Sequence, residues 1–403
     1  MQRFFSYTSI AFFIILFLAS CKSQKQLSQS TKPTAQVDSL ALIQADSILV
    51  AEQQVLGDTV ISEIDSVFVE PAPLVIKKDT IIITAVGDIM LGTNFPETYY
   101  LPPNEGKEML SGVSPSFANS DIVFGNLEGV ILNSGGTQKK CKNPKACYLF
   151  RSPEYMASRL YEAGFNLFSV ANNHAGDFGP EGRANTARLL DSLEINFAGN
   201  FERPYIMFEK DGVSYGFAAF APNKGTPNIN DLAGAKATIT HLDSLVDIVI
   251  VSFHGGAEGS KYTAVPNEHE YFYGEDRGNV YEFAHTMIDS GADIILGHGP
   301  HVPRGVEVYK NRFIAYSLGN FATYARFNLR GVNGLAPIIK IIMNNEGEFL
   351  SGQIISAKQV GRGVPVIDHE NKAAKLIWEL SKKDLPELSI SIDESGFISY
   401  LHH

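Results

Sequence analysis

Short apolar runs recur along the chain from Thr80 onward, and five of them break off into polar residues flanked by glycine. They read TIIITAVGDIMLG, SDIVFGNLEG, FNLFSVANNHAGD, VDIVIVSFHGGAE and GADIILGHGPHVPRGVE. Runs of that length, rich in Ile and Val and apolar at successive positions, predict strands buried on both faces. Between them lie stretches with helical spacing: SPEYMASRLYEAG from Ser152 to Gly164, GPEGRANTARLLDSLEI, and YEFAHTMIDSG ahead of the fifth run. Strand and helix patterns in alternation predict an α/β layered fold. FLSGQIISAKQV is expected as one further strand, NKAAKLIWELSKK as a helix, and a short strand pair completes the same domain. No internal repeat is visible.

The pattern is different before Thr80. MQRFFSYTSIAFFIILFLASC has a basic residue, Arg3, an apolar stretch from Ile10 to Leu18, and then small residues, which is the layout of a secretory signal. Leu18-Ala19-Ser20-Cys21 resembles the lipobox of bacterial lipoproteins, which predicts lipidation at Cys21 and residues 1–21 as the signal peptide. Residues 22–79 contain one aromatic, Phe68, among many Ser, Gln, Asp and Thr. They read as a flexible polar tether with a transient helix near Leu40 to Val55, leaving 80–403 as the folded domain. An exported chain favours a disulfide between its two remaining cysteines, Cys141 and Cys147, closing a small surface loop. The 403 residues carry a formal net charge of -11 and no long basic run, which argues against nucleic acid as a partner.

The candidate chemistry sits where the apolar runs end. They deliver Asp88; Asn126 and Glu128; Asn173, His174 and Asp177; His254 and Glu258; and His298 and His301. In layered α/β folds ligands bind beyond the carboxyl ends of the central strands, where loops converge. Oxygen and imidazole donors gathered there form the ligand set of Mn, Fe or Zn at a hydrolytic centre, with one or two ions. A single histidine at a strand end is usually structural; five such strand ends together predict a site. Asp177 lies three residues past His174, close enough to orient its imidazole.

In order and spacing, VGDIMLG, FGNLEG, ANNHAGDFG, FHGGAE and GHGPHVPRGVE resemble the bacterial capsule-synthesis CapA family, and CYLFRSPEY and IAYSLGNF extend the resemblance from about Thr80 to Phe321. The resemblance implies a branch of the calcineurin-like metallophosphoesterases, with a four-layer β sandwich flanked by helices. It implies that Asp88, Asn173, His254, His298 and His301 ligate metal and that His174 acts as the acid. Two positions depart from the phosphoesterase pattern: Met90 stands where a histidine is usual, and Asn126 with Glu128 stands where a bridging aspartate is usual. Glu128 either bridges two ions or serves a single one.

The expected function is therefore that of a lipid-anchored cell-envelope protein, periplasmic or surface-facing, acting on an anionic polymer of the poly-γ-glutamate type. The leading mechanism is metal-dependent hydrolysis, with Arg151 and Arg304 holding anionic groups. One rival is a non-catalytic polymer-binding scaffold in a complex with membrane subunits. The other is a periplasmic phosphodiesterase or nucleotidase.

Overall fold

The computed structural model describes residues 77–141, 147–385 and 387–401. Cys21, the signal peptide and nearly all of the tether, including its expected helix, lie outside the described residues. Two sheets dominate. The larger has nine strands and is centred on Thr80–Met90, which pairs in parallel with Ile122–Leu127 and Asn320–Thr323 and antiparallel with Ile338–Asn344. Leu167–Ser169 and Asn196–Ala198 continue the parallel side. The six-stranded sheet has Ile248–His254 at its centre, parallel to Val213–Phe220 and to Ile294–His298.

Burial explains why the central strands are apolar at successive positions. One core lies between the sheets, where Ile83, Phe124 and Leu167 meet Phe217, Ile250 and Leu296. A second packs the outer face of the large sheet, through Val86, Ile89 and Phe168, under the helices Tyr155–Glu162 and Gly179–Ser192. A third packs Val249, Val251 and Ile295 under the helices Leu232–Asp243 and Val280–Asp289. The result is the four-layer arrangement of helices, sheet, sheet and helices expected from the sequence. Each fully buried large apolar side chain contributes roughly 1.5–3 kcal/mol. Among the described residues no helix is long and apolar enough to cross a membrane.

Two local features differ from expectation. FLSGQIISAKQV is two strands, Phe349–Ile355 in the large sheet and Ala357–Val360 paired with Val364–Ile367. Between them Ser356 leaves the ladder: its carbonyl accepts from Asp368 N and its hydroxyl from Ala374 N, which anchors the Lys372–Asp384 helix. A hairpin not anticipated from the pattern joins Tyr205–Lys210 to Val213–Phe220 through Asp211 and Gly212, both at positive φ, as a tight two-residue turn requires.

Cys141 and Cys147 are joined, with Cα atoms 5.8 Å apart. The chain leading into Cys141 lies against the His174 loop: Lys139 N donates to Asp177 O and Lys139 Nζ to Asn173 O. Removing this cross-link, by reduction or by Cys141→Ser with Cys147→Ser, is expected to lower unfolding stability by about 2 kcal/mol, the loop-entropy value for so short a ring. Denaturant titration checks it, and an unchanged midpoint would show that the bond constrains nothing.

Candidate metal centre

The registers of the two sheets set the site. Asp88 lies opposite Asn126 on one neighbouring strand and Asn320 on the other, while His298 lies opposite His254. The sheets meet where His298 Nδ1 comes 3.2 Å from Asp88 Oδ1. Gly87 lets the Leu318–Gly319 backbone come close beside Asp88, since a Cβ there would stand 1.9 Å from Gly319 O, the acceptor of Asp88 N. His301 holds a left-handed backbone, φ 56°, which a non-glycine residue adopts at a cost, and its Nδ1 lies 2.7 Å from Asp88 Oδ2.

Asp88, Glu128 and His301 offer ligand atoms within 4.8 Å of one another. His254 Nε2 comes 3.2 Å from Glu128 Oε1, yet neither of its ring nitrogens has a hydrogen-bond partner. Donor atoms that crowd together without hydrogen-bond alignment are arranged to converge on a third body. Glu128 Oε2, Asn173 Oδ1 and His298 Nε2 are also buried and without a partner. Each such atom costs about 1–3 kcal/mol if it stays unsatisfied. The donor set, two carboxylates with three imidazoles and an amide oxygen, fits a divalent transition metal.

The electrostatics favour a cation. Burial raises the Asp88 carboxyl, but the hydrogen bonds and charges of His298 and His301 prevail and hold it well below the usual carboxylate range. Burial likewise opposes ionisation of Glu128, and the close approach of His254 overcomes it. Burial pushes the His254 imidazolium down despite Glu128, which leaves a neutral ring suited to ligation. For His301 burial acts downward too, but Asp88 wins and raises it to about 9.

Asn126 is placed differently from the expected ligand. Its Nδ2 donates to both Asp88 Oδ1 and Glu128 Oε1, each at 2.9 Å, and its Oδ1 accepts from Asn172 Nδ2 at 3.1 Å. The amide is a neutral strap between two carboxylates, with both of its polar atoms engaged. Asn172, which the strand-end pattern does not single out, carries this contact onward: its Nδ2 also donates to Leu127 O, and its Oδ1 accepts from His174 N. The His174 loop is thereby tied to the metal-type cluster. His174 Nδ1 lies 2.7 Å from Asp177 Oδ2, which also accepts from Phe150 N, so Nε2 is the only uncommitted ring nitrogen. Phe150 packs on the imidazole, with ring centroids 4.2 Å apart.

Both arginines expected to hold substrate have other partners. Arg304 is fully buried and pairs with Glu270 through two bonds of 2.7 Å, and its Nε donates to Tyr262 O. Arg151 donates to Asn94 Oδ1 and Gly135 O and lies over the Phe178 ring. Both therefore brace loops: all three guanidinium nitrogens of Arg304 donate to protein acceptors, and Nε and Nη1 of Arg151 do. Glu258 is likewise taken, by Arg277.

Residues 82–325 match the family model described as bacterial capsule synthesis protein PGA_cap. The chain is 31% identical over 264 residues to the capsule biosynthesis protein CapA of Bacillus anthracis, covering 61% of this chain and 60% of that protein. It is 30% identical over 260 residues to the PGA biosynthesis protein CapA of Bacillus subtilis (strain 168), covering 60% and 63%. The chain thus spans about three-fifths of the length of these curated relatives. Among solved structures it is similar to a hypothetical protein from Thermus thermophilus, with a TM-score of 0.44, 15% identity, and coverage of 69% of this chain and 99% of that one. It is also similar to the calcineurin-like phosphoesterase YfkN from Bacillus subtilis, with a TM-score of 0.38, 12% identity, and coverage of 76% and 98%.

Proposed function

This chain belongs to the bacterial capsule synthesis PGA_cap family, and from that premise we propose that it is a lipid-anchored envelope protein that hydrolyses a bond in an anionic polymer at a divalent-metal site. The observation that supports this most is the set of buried donor atoms, without partners among the described residues, on Glu128, His254 and His298 beside Asp88 and His301. Asp88, Glu128, His254, His298 and His301 would hold the ion, and Asn173 Oδ1, buried and without a partner among the described residues, would be a further ligand. When bound there, a divalent cation supplies Lewis acidity toward a phosphoryl or acyl oxygen.

The chain's own residues supply the proton chemistry. Asp177 fixes the His174 imidazole through Nδ1, leaving Nε2 to deliver a proton to the leaving group. Phe150 covers one side of that ring and limits water there. The test is metal analysis of the full chain purified in detergent, paired with hydrolysis assays on poly-γ-glutamate and on generic phosphoesters. Absence of bound metal together with no turnover on either substrate class would sink the reading.

A second reading is favoured by Asn126. An amide strapped between Asp88 and Glu128 takes the place of a bridging carboxylate, which suits a site that binds polymer without cutting it. Full metal occupancy and polymer binding with no turnover would select this scaffold role.

The anchor has its own test. With Cys21→Ser the chain is expected to leave the membrane fraction or remain unprocessed, because a short apolar signal core does not by itself hold a mature chain. Unchanged fractionation and unchanged mass would rule out lipidation at this residue.

A further inference from the structure

We infer that a track of arginines stacked on tyrosines runs from the protein surface to the His174 site and binds a chain carrying repeated oxyanions. The inference rests on the reading of the site as one that receives an anionic polymer, and it names where such a chain would lie. Tyr99 and Tyr100 are adjacent in sequence, with ring centroids 5.6 Å apart. Arg362 Cζ stands 4.1 Å from the Tyr99 ring and Arg326 Cζ 4.5 Å from the Tyr100 ring. Each guanidinium has a second ring beside it, Tyr324 for Arg362 and Tyr148 for Arg326. The two arginine segments are joined by a bond from Ala325 N to Arg362 O.

The track continues inward without a gap. Phe327, next to Arg326, stacks on Phe150 at 5.1 Å and meets the His301 ring edge-on at 5.4 Å. Phe150 in turn packs on His174. At the outer end Tyr99 and Tyr148 are 67% and 50% exposed, so solvent reaches the line of rings.

Charge decides what would bind. Among the described residues Arg159, Arg188, Arg203, Arg277, Arg304 and Arg312 make ion pairs with carboxylates; Arg151, Arg183, Arg326, Arg330 and Arg362 make none, and of these Arg326 and Arg362 are the two that stack on tyrosine rings side by side. Arg326 Nε is buried with no acceptor among the described residues. In a chain of net charge -11, two neighbouring guanidinium groups without a carboxylate partner among the described residues leave a local positive charge that a counter-ion would balance. Stacking on a ring engages the face of a guanidinium and not its in-plane N–H edges; Arg362 spends one Nη1 bond on Tyr99 O, and its other edge keeps the geometry that takes a carboxylate or phosphate by paired hydrogen bonds. The tyrosine faces, for their part, are taken by arginine, so the track presents charge and not open rings for base stacking.

The test is fluorescence anisotropy on the full chain in detergent, with a labelled γ-glutamate oligomer, a glycerol-phosphate oligomer of equal charge, a neutral dextran and a single-stranded oligonucleotide. The oxyanion oligomers are expected to bind and the dextran not. Arg326→Gln and Arg362→Gln should each weaken binding about tenfold, the loss of one charge-assisted contact, and should flatten its dependence on salt. Arg326→Lys and Arg362→Lys, which keep the charge, should lie between, and they preserve the test if a glutamine variant fails to fold. Binding should survive removal of metal by a chelator. A wild-type chain that binds the oligomers yet hydrolyses nothing would sink the hydrolase reading alone. Unaltered binding by the glutamine variants, equal binding of dextran, or tightest binding of the oligonucleotide would overturn the inference itself.

Discussion

Glu128→Gln is expected to cost the protein its metal while leaving the fold intact. Glutamine keeps the shape, and its carbonyl can still accept from Asn126 Nδ2, as Glu128 Oε1 does at 2.9 Å. What it lacks is the second oxygen, the buried atom that has no partner among the described residues. Two buried carboxylates, Asp88 and Glu128, repel each other in the metal-free chain, and only the neutral amide of Asn126 lies between them as a shared donor. Removing one charge relieves that repulsion but also forfeits the approach of His254 that keeps Glu128 ionised, so the metal-free variant should melt close to the metal-free wild type. Added Mn or Zn should then raise the melting temperature of the wild type far more than that of the variant. An affinity loss beyond the 10–100-fold typical of outer-shell substitutions is expected, because Glu128 would touch the ion. Ligand at a hundredfold excess over its Kd stabilises by about 2.7 kcal/mol, so the difference is readable by calorimetry. If the metal-free variant instead loses much of its stability, Glu128 is a structural group and the site has been misassigned.

The contrast between Glu128 and Asn126 shows what the sequence makes visible. Apolar runs ending in Asp88, Glu128, His254 and His298 were legible because burial on both faces forces a continuous apolar pattern, and a polar residue ending such a run stands out. Parallel pairing then puts those ends at the same level, as the registers of Asp88 with Asn126 and of His298 with His254 show. Which atom of Asn126 faces which neighbour was not legible, since that depends on Asn172 arriving from another strand end. Arg304 was misread for the same reason: its partner Glu270 lies 34 residues away on a hairpin that no periodicity announces. The line of rings and arginines is more remote still, with Arg362 reaching the carbonyl of Tyr99 across 263 residues of chain. Turns and loops contribute most of that surface, and hydrophobic patterning says nothing about where they meet.

His174 separates a site residue from a structural one. His174→Ala should retain bound metal, because Asp88, Glu128, His254, His298 and His301 are untouched, and should lose turnover by about 10²–10⁴-fold, the usual contribution of a positioned proton donor. The stability cost should be modest: Asp177 Oδ2 keeps its bond from Phe150 N when the imidazole is gone. Asp177→Asn gives the complementary result. An amide there no longer supplies the anion that holds Nδ1–H, so the ring loses its fixed tautomer and orientation while its nitrogen atoms remain. Turnover should fall in this variant too, with KM for a small phosphoester little changed, since neither residue is asked to bind the substrate's ground state. A histidine that merely caps the turn after Val170 would behave in the opposite way, lowering the melting temperature on replacement and leaving kcat per folded molecule as it was. Measuring kcat, metal content and melting temperature on the same preparations decides between these roles, and full activity in His174→Ala would remove this loop from the chemistry.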